Sequence, residues 1–387
     1  MNAFVDALVV LSVVVGLALA PRAAARRPGP SGGRTARPAL SPLAVLAVVT
    51  GLVYVNQVLF TVYVLRVHGG DPSFVARYLP EGWFDLASGS AVLCGLADGF
   101  PTPGLLAPSV LRVQAFLELP FVLSAFATVV RWLDAGLYRG IARSALLPLA
   151  SLSYTAVFCL VEWGLRNPYT VDDIVVRGVS AVLTPCLLRW LAARDTGASR
   201  TPASVPGLLV FIGSLGALGA LVLVVYDTAL LYNLGRVAER LPVAAVAVVA
   251  LAGLRRAAAR LPDPVAPGPT LTFALHALRH WLALFFLPAL AIRYGVMFGT
   301  PQLAAAAGVA VAVAATVLAW REAAPDAKRL GLAVLAAACA ARAATWATPA
   351  SYYEVTLLAA MAAFLVTGVV VGGLVDALSR QSAVTPQ

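Results

Sequence analysis

The residues of this chain that could do chemistry are charged side chains set inside long apolar stretches. Glu118 lies nine residues into the apolar run 109–131, with Gln114 one helical turn before it. A carboxylate at that depth is costly in lipid, and it indicates a proton relay or a general base unless a cation lies beside it. The alternative is a structural ion pair, for which Arg177 and Arg342 are the candidate partners. The sequence predicts that Glu118 approaches one of these arginines.

Two histidines four residues apart form a second candidate group. His276 and His280, in HALRH, lie on one face if the segment is helical. This spacing occurs in helical zinc sites, which need a third ligand, and Glu118 is the candidate at similar depth. The glutamate of an HExxH motif is absent, and polar groups of neighbouring helices, a quinone or a lipid headgroup could satisfy the pair instead. We therefore assign no metal, and we predict that Glu118 and its arginine approach each other or share a cavity with His280.

The other polar residues in or beside the apolar runs lie mostly toward one end of them. If the helices turn these groups toward one another, they line a polar cavity that opens on the outer side of the membrane. The catalytic candidates are Glu118, His280, Arg177 and Asp227, and the substrate-binding candidates are Asn56, Gln57, His68, Asp71, Trp83, Arg112 and Arg342. The aromatic loop from Arg66 to Asp85 is interpreted either as a lid or lipid-facing access helix, or as an ordinary interfacial segment.

Composition places these residues in a membrane. Of 387 residues, 60% are hydrophobic and 12% are charged, against roughly 25% charged in soluble domains. This excludes a soluble globular enzyme and a disordered chain. The net charge of +10 does not indicate a nucleic-acid partner, because the basic residues lie in short clusters between apolar runs. The four cysteines lie in apolar stretches without CxxC spacing, and we predict that they are buried apolar residues.

Eleven apolar runs are predicted to span the membrane, since a bilayer core of about 30 Å takes roughly 20 helical residues. They lie near residues 4–20, 43–64, 109–131, 144–165, 172–193, 205–229, 241–254, 270–292, 302–319, 329–346 and 354–376. The run 241–254 is the shortest of them. The sequence thus predicts an all-α polytopic integral membrane protein in which residues 1–387 form a single transmembrane domain.

The basic residues between the runs predict how the chain is threaded through the cell membrane. The linker 21–42 holds five arginines, so the positive-inside rule assigns it to the cytoplasm and the N-terminus to the outside. Eleven spans then place the C-terminus in the cytoplasm. The alternation of basic loops holds only if the segment 86–107, interrupted by Asp98, Gly and Pro, does not cross. We therefore predict an extracytoplasmic loop over 65–108 that contains a re-entrant or interfacial segment near 86–107.

The stretch Ser151–Arg189 carries a pattern of its own. It contains SLSYTAVFCLVEWGLRNPYTVDDIVVRGVSAVLTP, in which RNP is followed by acidic residues, an arginine and a helix that reaches a proline. This order resembles a segment of the bacterial HTTM proteins, the membrane relatives of vitamin K-dependent γ-carboxylase. The matching positions are Arg166, Asn167, Pro168, Asp173, Arg177 and Pro185. The earlier ARYLPEGWFDLA, residues 76–87, is similar in placement to that family's Tyr…Gly segment, and the resemblance covers about a third of the chain.

The resemblance implies a shared membrane scaffold and does not extend to carboxylation. The carboxylases of that family use a lysine base, whereas the only lysine of this sequence, Lys328, lies in a predicted cytoplasmic loop. Tyr232 and Asn233 stand where a family lysine would be sought.

Three functions are compatible with this sequence. The favoured one is a membrane-embedded enzyme or maturation factor whose outward-facing polar cavity acts on a lipophilic or extracytoplasmic substrate. The alternative is a secondary transporter or exporter of a small metabolite coupled through Glu118, and the third is a non-catalytic membrane partner. The expected partners are the lipid bilayer and a lipophilic small molecule or peptide, and the sequence identifies no cofactor. A transporter must open its site to both sides of the membrane, whereas an outward-facing enzyme needs a closed inner half.

Overall fold

The architecture is that of a helical bundle, seen in a computed structural model. The structure describes residues 7, 10–11, 14–19, 41–77, 86–100, 109–166, 168–195, 202–231, 233–261, 267–298, 301–348 and 353–384. Within these ranges all regular elements are helices and no strand occurs. The predicted all-α fold of a polytopic membrane protein is confirmed. The linker 21–42 falls almost wholly outside the described residues, as do Trp83 and Tyr232.

The helices follow one another with short connections. From Pro42 on, the helices with described bounds begin with α1 (Pro42–His68), α2 (Ser73–Ala76), α3 (Ala91–Gly99), α4 (Ser109–Leu133), α5 (Ala135–Arg143), α6 (Leu146–Leu165), α7 (Thr170–Arg194) and α8 (Val205–Val225). A π-helical turn (Tyr226–Leu230) and a 3-10 turn (Leu234–Arg236) come next. The last five are α9 (Val237–Arg260), α10 (Pro269–Phe298), α11 (Pro301–Glu322), α12 (Ala327–Ala347) and α13 (Tyr353–Val384).

Local sequence sets where several of these helices begin and end. The Ser41 side chain accepts a hydrogen bond from the Ala44 N–H, which satisfies one of the free donors at the start of α1. Gly69 ends α1 in the left-handed conformation, with φ 59°, which glycine adopts without steric cost. Asp134 and Asp326 accept from the first N–H groups of α5 and α12 in the same way as Ser41 does for α1. At α12 the donors are the backbone N–H groups of Arg329 and Lys328, and they hold the pKa of Asp326 below its usual range.

Eight helices in the described part of the chain are long and apolar enough to span a membrane. They include α9, which is 24 residues long and contains the short predicted run 241–254. The predicted number of eleven spans is not confirmed, and the first predicted run lies partly outside the described residues. Helix α3 is nine residues long, which is about 14 Å and less than half of a bilayer core.

One helix was absent from the sequence-based prediction. Between the predicted runs 109–131 and 144–165 the structure forms α5, which buries Leu137, Tyr138 and Ile141 against the bundle. Its arginines lie on the polar face, and Arg139 donates to the Asp195 carbonyl at the end of α7. A nine-residue amphipathic helix is too short to give an apolar run, so a search for spans misses it.

Helix α4 lies at the centre of the bundle. In an apolar 18-residue stretch of α4, 78% of the residues are buried inside the protein, whereas the corresponding share is 6% in α9 and 11% in α12. One buried apolar cluster joins α4 to α5, α6 and α7, and another joins α4 to α1, α8 and α10. Exposed valines such as Val246 and Val249 on α9 are the side chains that would meet lipid. A polar residue on the inner face of α4 therefore has to find its partners within the protein.

Candidate functional site

Glu118 on α4 is a buried carboxylate with three donors. Its Oε1 accepts hydrogen bonds from the hydroxyls of Tyr154 at 2.7 Å and Tyr226 at 3.0 Å. Its Oε2 accepts from Arg177 Nη1 at 2.8 Å. The Glu118 side chain is 8% exposed, so these contacts replace the water that the carboxylate has lost. The predicted approach of Glu118 to an arginine is confirmed, with Arg177 as the partner.

Arg177 on α7 bridges Glu118 to a second acid. Its Nε and Nη2 lie 2.7 and 2.6 Å from Oε1 of Glu162, and its guanidinium lies 4.3 Å from the centre of the Phe158 ring. The Arg177 side chain is 10% exposed and that of Glu162 is 12% exposed. One guanidinium thus serves two buried carboxylates, on one side through Nη1 and on the other through Nε and Nη2. We call Glu118, Arg177, Glu162, Tyr154 and Tyr226 the Glu118 network.

The network depends on residues spaced four apart on facing helices. On α6, Tyr154, Phe158 and Glu162 lie at i, i+4 and i+8 and therefore share one face. On α7, Asp173 and Arg177 are four apart in the same way. Because α6 and α7 are joined by a short turn after Arg166, they pack side by side and present these faces to α4.

Two prolines beside the network free backbone carbonyls, and serines on neighbouring helices bind them. A helical proline leaves the carbonyl four residues earlier without its usual donor. For Pro120 on α4 this is Phe116, whose carbonyl accepts from Ser180 Oγ of α7 at 2.7 Å. Pro185 on α7 frees the Ala181 carbonyl, which accepts from Ser151 Oγ of α6 at 2.7 Å.

The π-helical turn supplies Tyr226 and links the network to α1. In this turn Thr228 Oγ1 lies 2.7 Å from the Tyr54 hydroxyl, and the Ala229 carbonyl accepts from Gln114 Nε2 at 3.2 Å. Gln114 Oε1 in turn accepts from Asn56 Nδ2 at 3.2 Å. Asn56 and Gln114 thus form a chain of amide hydrogen bonds from α1 to the turn, one helical turn along α4 from Glu118. π-helical turns inside helices occur frequently at functional sites.

One end of the network reaches the surface of the bundle. Arg112 on α4 pairs with Asp172 in the first turn of α7, and their side chains are 42% and 48% exposed. Asp173, the next residue, is 7% exposed and lies within electrostatic range of Glu162 and Arg177. We call this the Arg112 end of the bundle, and it is the end that the topology prediction places outside.

The two histidines are not part of this network, so His280 does not join Glu118 and Arg177, with which it was grouped as a catalytic candidate. His276 Nδ1 and His280 Nε2 lie 2.6 and 2.8 Å from the two carboxylate oxygens of Glu322, the last residue of α11. Arg279, between them in sequence, lies 2.9 Å from Asp134 at the far end of α4. Asp134 is about 24 Å along the helix axis from Glu118. We call this the Asp134 end.

Glu118, the candidate third ligand of a metal site with the two histidines, does not lie beside them. Glu322 is the carboxylate that pairs with both histidines. Among the residues that the structure describes, no group of three or more His, Cys, Asp and Glu side chains is arranged to hold a metal ion. The sequence pattern could not identify Glu322, because α10 and α11 are paired only in the folded bundle.

Asp227 and Arg342 have partners of their own outside the network. Asp227 binds Arg236 Nη1 at 2.7 Å and Arg240 Nε at 2.6 Å, so it fastens the connection between α8 and α9. Arg342 is exposed on α12, where its guanidinium lies 5.0 Å from the Trp346 ring centre. Arg342 is therefore not the partner of Glu118, which corrects the second of the two pairings considered above.

Of the remaining predicted binding residues, Gln57 lies in the core, whereas His68 and Asp71 lie at the end of α1 and in the turn that follows it. Gln57 on α1 is wholly buried, and its amide has no hydrogen-bond partner within the described part of the chain. His68 stacks on Phe74 with ring centres 4.1 Å apart. The Asp71 carboxylate accepts from the N–H and the hydroxyl of Ser73, each at 2.8 Å, and these donors lower the pKa of Asp71. These contacts order the turn after α1.

The structure brings to Glu118 and Arg177 four residues that are not among the predicted catalytic or binding residues. They are Tyr154, Glu162, Asp173 and Tyr226. The i, i+4, i+8 stripe on α6 and the Asp173–Arg177 spacing were visible signals for three of them. Tyr226 had no such signal, because a π-helical turn shifts the face on which a side chain emerges.

Chemically, the Arg112 end contains more acids than bases. Four carboxylates, those of Glu118, Glu162, Asp172 and Asp173, lie with two guanidiniums, those of Arg112 and Arg177. Such a group can bind and release protons or a cation, since full ionisation leaves uncompensated negative charge in a weakly polar interior. Comparisons with family models, curated proteins and solved structures find no match for this chain.

Proposed function

We propose that this protein is a secondary transporter of the cell membrane, in which the Glu118 network exchanges protons as a small metabolite crosses. The observation that carries the proposal is the pair of buried carboxylates, Glu118 and Glu162, on the single cation Arg177. Ionisable residues within membrane spans mark ion and proton pathways. We also propose that the Arg112 end faces outside and the Asp134 end faces the cytoplasm, as the basic loops predict.

Interrupted helices around the network support a transport role. Pro120 lies two residues after Glu118, Pro185 lies two turns after Arg177, and Tyr226 emerges from a π-helical turn. Transporters place their binding sites where membrane helices are broken, because released backbone groups and hinges lie there. The Ser180 and Ser151 hydroxyls can leave the carbonyls of Phe116 and Ala181 without breaking regular helical hydrogen bonds.

The test is accessibility of the network from each side of the membrane, and the chain contains its own reporters. Cys159 on α6 is half-buried and within electrostatic range of Arg177 and Glu162. In a variant with Cys94, Cys186 and Cys339 changed to Ser, an impermeant maleimide should label Cys159 in both right-side-out and inside-out vesicles. A matched variant that keeps only Cys186, exposed on α7 where lipid would cover it, should stay unlabelled in both.

Protonation should control this accessibility. In the Cys159 variant the ratio of labelling from the two sides should change with pH, because proton binding biases the conformations. Glu118→Gln retains an oxygen that accepts from Tyr154 and Tyr226 but removes the charge, so it should weaken the pH dependence. Labelling from one side alone at every pH would contradict a transporter.

One observation favours a second function, the membrane-embedded enzyme or maturation factor with an outward-facing site. Asp173 and Arg177, two of the positions that resemble HTTM proteins, lie in or beside the Glu118 network. In that case the network would bind a lipophilic or extracytoplasmic substrate from the Arg112 end. Labelling of Cys159 only from that side would support this function over transport.

A further inference from the structure

Asp173 is a buried carboxylate that has no direct partner among the described residues. Its side chain belongs to a residue that is 7% exposed, and in the described ranges neither a hydrogen bond nor an ion pair reaches it. Buried polar groups in folded proteins nearly always have a partner, and a buried charge without one is strongly disfavoured. Asp173 is therefore the exception within a region where the other acids are paired.

The charged groups around Asp173 cannot neutralise it. They are Glu162 on α6, Arg112 on α4, and Asp172 and Arg177 on α7 itself. Arg177 is already bound by two carboxylates, and Arg112 is paired with Asp172. Two of these four neighbours are acids, so they raise rather than reduce the electrostatic cost of a charge on Asp173.

Glu118 and Glu162 have the opposite surroundings. Glu118 accepts hydrogen bonds from two tyrosine hydroxyls and a guanidinium, which take the place of lost water. Glu162 holds Arg177 through Oε1, although its Oε2 has no hydrogen-bond partner in the part of the chain that the structure describes. Of the three buried acids, Asp173 has the fewest donors and is next in sequence to the half-exposed Asp172.

We infer that Asp173 is a proton-binding site, neutral in this conformation, and the place where the network exchanges its proton with water at the Arg112 end. On release the O–H bond of the carboxylic acid breaks, the electron pair stays on the Asp173 oxygen and the proton passes to water beside Asp172. The charge left on Asp173 would then compete with Glu118 and Glu162 for Arg177. The role in exchange rests on the proposed transport function, whereas the protonation of Asp173 does not.

Infrared difference spectroscopy of the full chain in liposomes tests the protonation directly. Wild-type protein at neutral pH should show the carbonyl band of a buried protonated carboxylic acid, which disappears when the pH is raised. Asp173→Asn, which is nearly isosteric, should lose this band. The control Glu322→Gln should keep it, because Glu322 is half-exposed and lies beside His276 and His280 at the Asp134 end, away from Asp173.

The outcomes separate this inference from the transport proposal. Absence of the band in wild type, or its full retention in Asp173→Asn, would overturn the assignment. Loss of the band in Glu162→Gln but not in Asp173→Asn would instead assign the proton to Glu162. If Asp173→Asn does not accumulate, Asp173→Glu serves instead: a shifted carbonyl band supports the assignment and an unshifted one refutes it. The labelling of Cys159 from two sides is independent of all these results, so either idea can fail alone.

Discussion

The two ends of the bundle hold acid–base clusters of similar composition and different surroundings. At the Arg112 end, Glu118, Arg177 and Glu162 are between 8% and 12% exposed and are joined by hydrogen bonds from three helices. At the Asp134 end, Glu322 bridges His276 and His280, but the Glu322 side chain is 44% exposed. Water can solvate Glu322 when its partners change, whereas Glu118 and Glu162 have lost most of their contact with water.

This difference shows why composition alone does not locate a functional site. In a weakly polar interior the gain from pairing and the cost of losing a partner are both large, so the buried cluster must be complete in each state. An exposed ion pair contributes little and is screened by salt. The buried cluster thus ties α4, α6 and α7 together through Arg177, and the exposed cluster joins α10 to α11.

The largest effect expected is the presence or absence of thiol labelling, which reports the side of the membrane that the Arg112 end and the Asp134 end each face. In a cysteine-free background, Ser73→Cys lies exposed at the Arg112 end and Lys328→Cys lies exposed beyond Glu322. An impermeant thiol reagent should label Ser73→Cys on intact cells and Lys328→Cys only after permeabilisation. The reverse pattern would invert the orientation of both clusters.

Loss of Arg177 should be the most destabilising single change in either cluster. Arg177→Gln leaves two buried carboxylates without their cation, which we expect to cost about 3–5 kcal/mol and to reduce the amount of folded protein. Thermal unfolding of the detergent-solubilised protein measures the change. Glu118→Gln added to Arg177→Gln should restore only part of the stability, since Glu162 stays unpaired, and full restoration should need Glu162→Gln as well. Full rescue by the double variant would contradict the bridging role.

The serine hydroxyls beside the network should have intermediate effects. Ser180→Ala leaves the Phe116 carbonyl without a donor next to Pro120, at an expected cost of about 1–3 kcal/mol, and Ser151→Ala does the same for Ala181. The same unfolding measurement applies. Ser214→Ala is the matched control, since the Ser214 hydroxyl donates to the Val210 carbonyl of its own helix, four residues earlier. An equal loss in Ser214→Ala would show that the proline-freed carbonyls are not special.

The smallest effect is expected at the Asp134 end. Glu322→Gln removes the charge that bridges the two histidines, and because Glu322 is nearly half-exposed the loss should be at most about 1 kcal/mol and should shrink at high salt. Unfolding at low and high ionic strength checks both points. A loss as large as that of Arg177→Gln would remove the contrast between the two ends.

Much of the fold could be predicted, because lipid imposes a simple rule on sequence. An apolar run long enough to cross must form a helix, and so the runs near 43–64, 109–131 and 205–229 match helices within a few residues at most ends. The rule says nothing about short amphipathic segments, which is why α5 was missed. It also does not predict how far a helix extends beyond its apolar run: α13 continues to Val384, whereas the predicted run ends near residue 376.

The sequence alone determined the class of protein and the importance of Glu118 and Arg177, because a charge within an apolar run must be paired or functional. Only the tertiary structure decided the partners. Arg177 rather than Arg342 reaches Glu118, and Glu322 rather than Glu118 reaches His280. Oδ1 of Asp173 has no hydrogen-bond partner in the part of the chain that the structure describes. The physical reason is that depth in the membrane can be read from position along a helix, whereas the neighbour at that depth depends on how the helices are arranged and rotated.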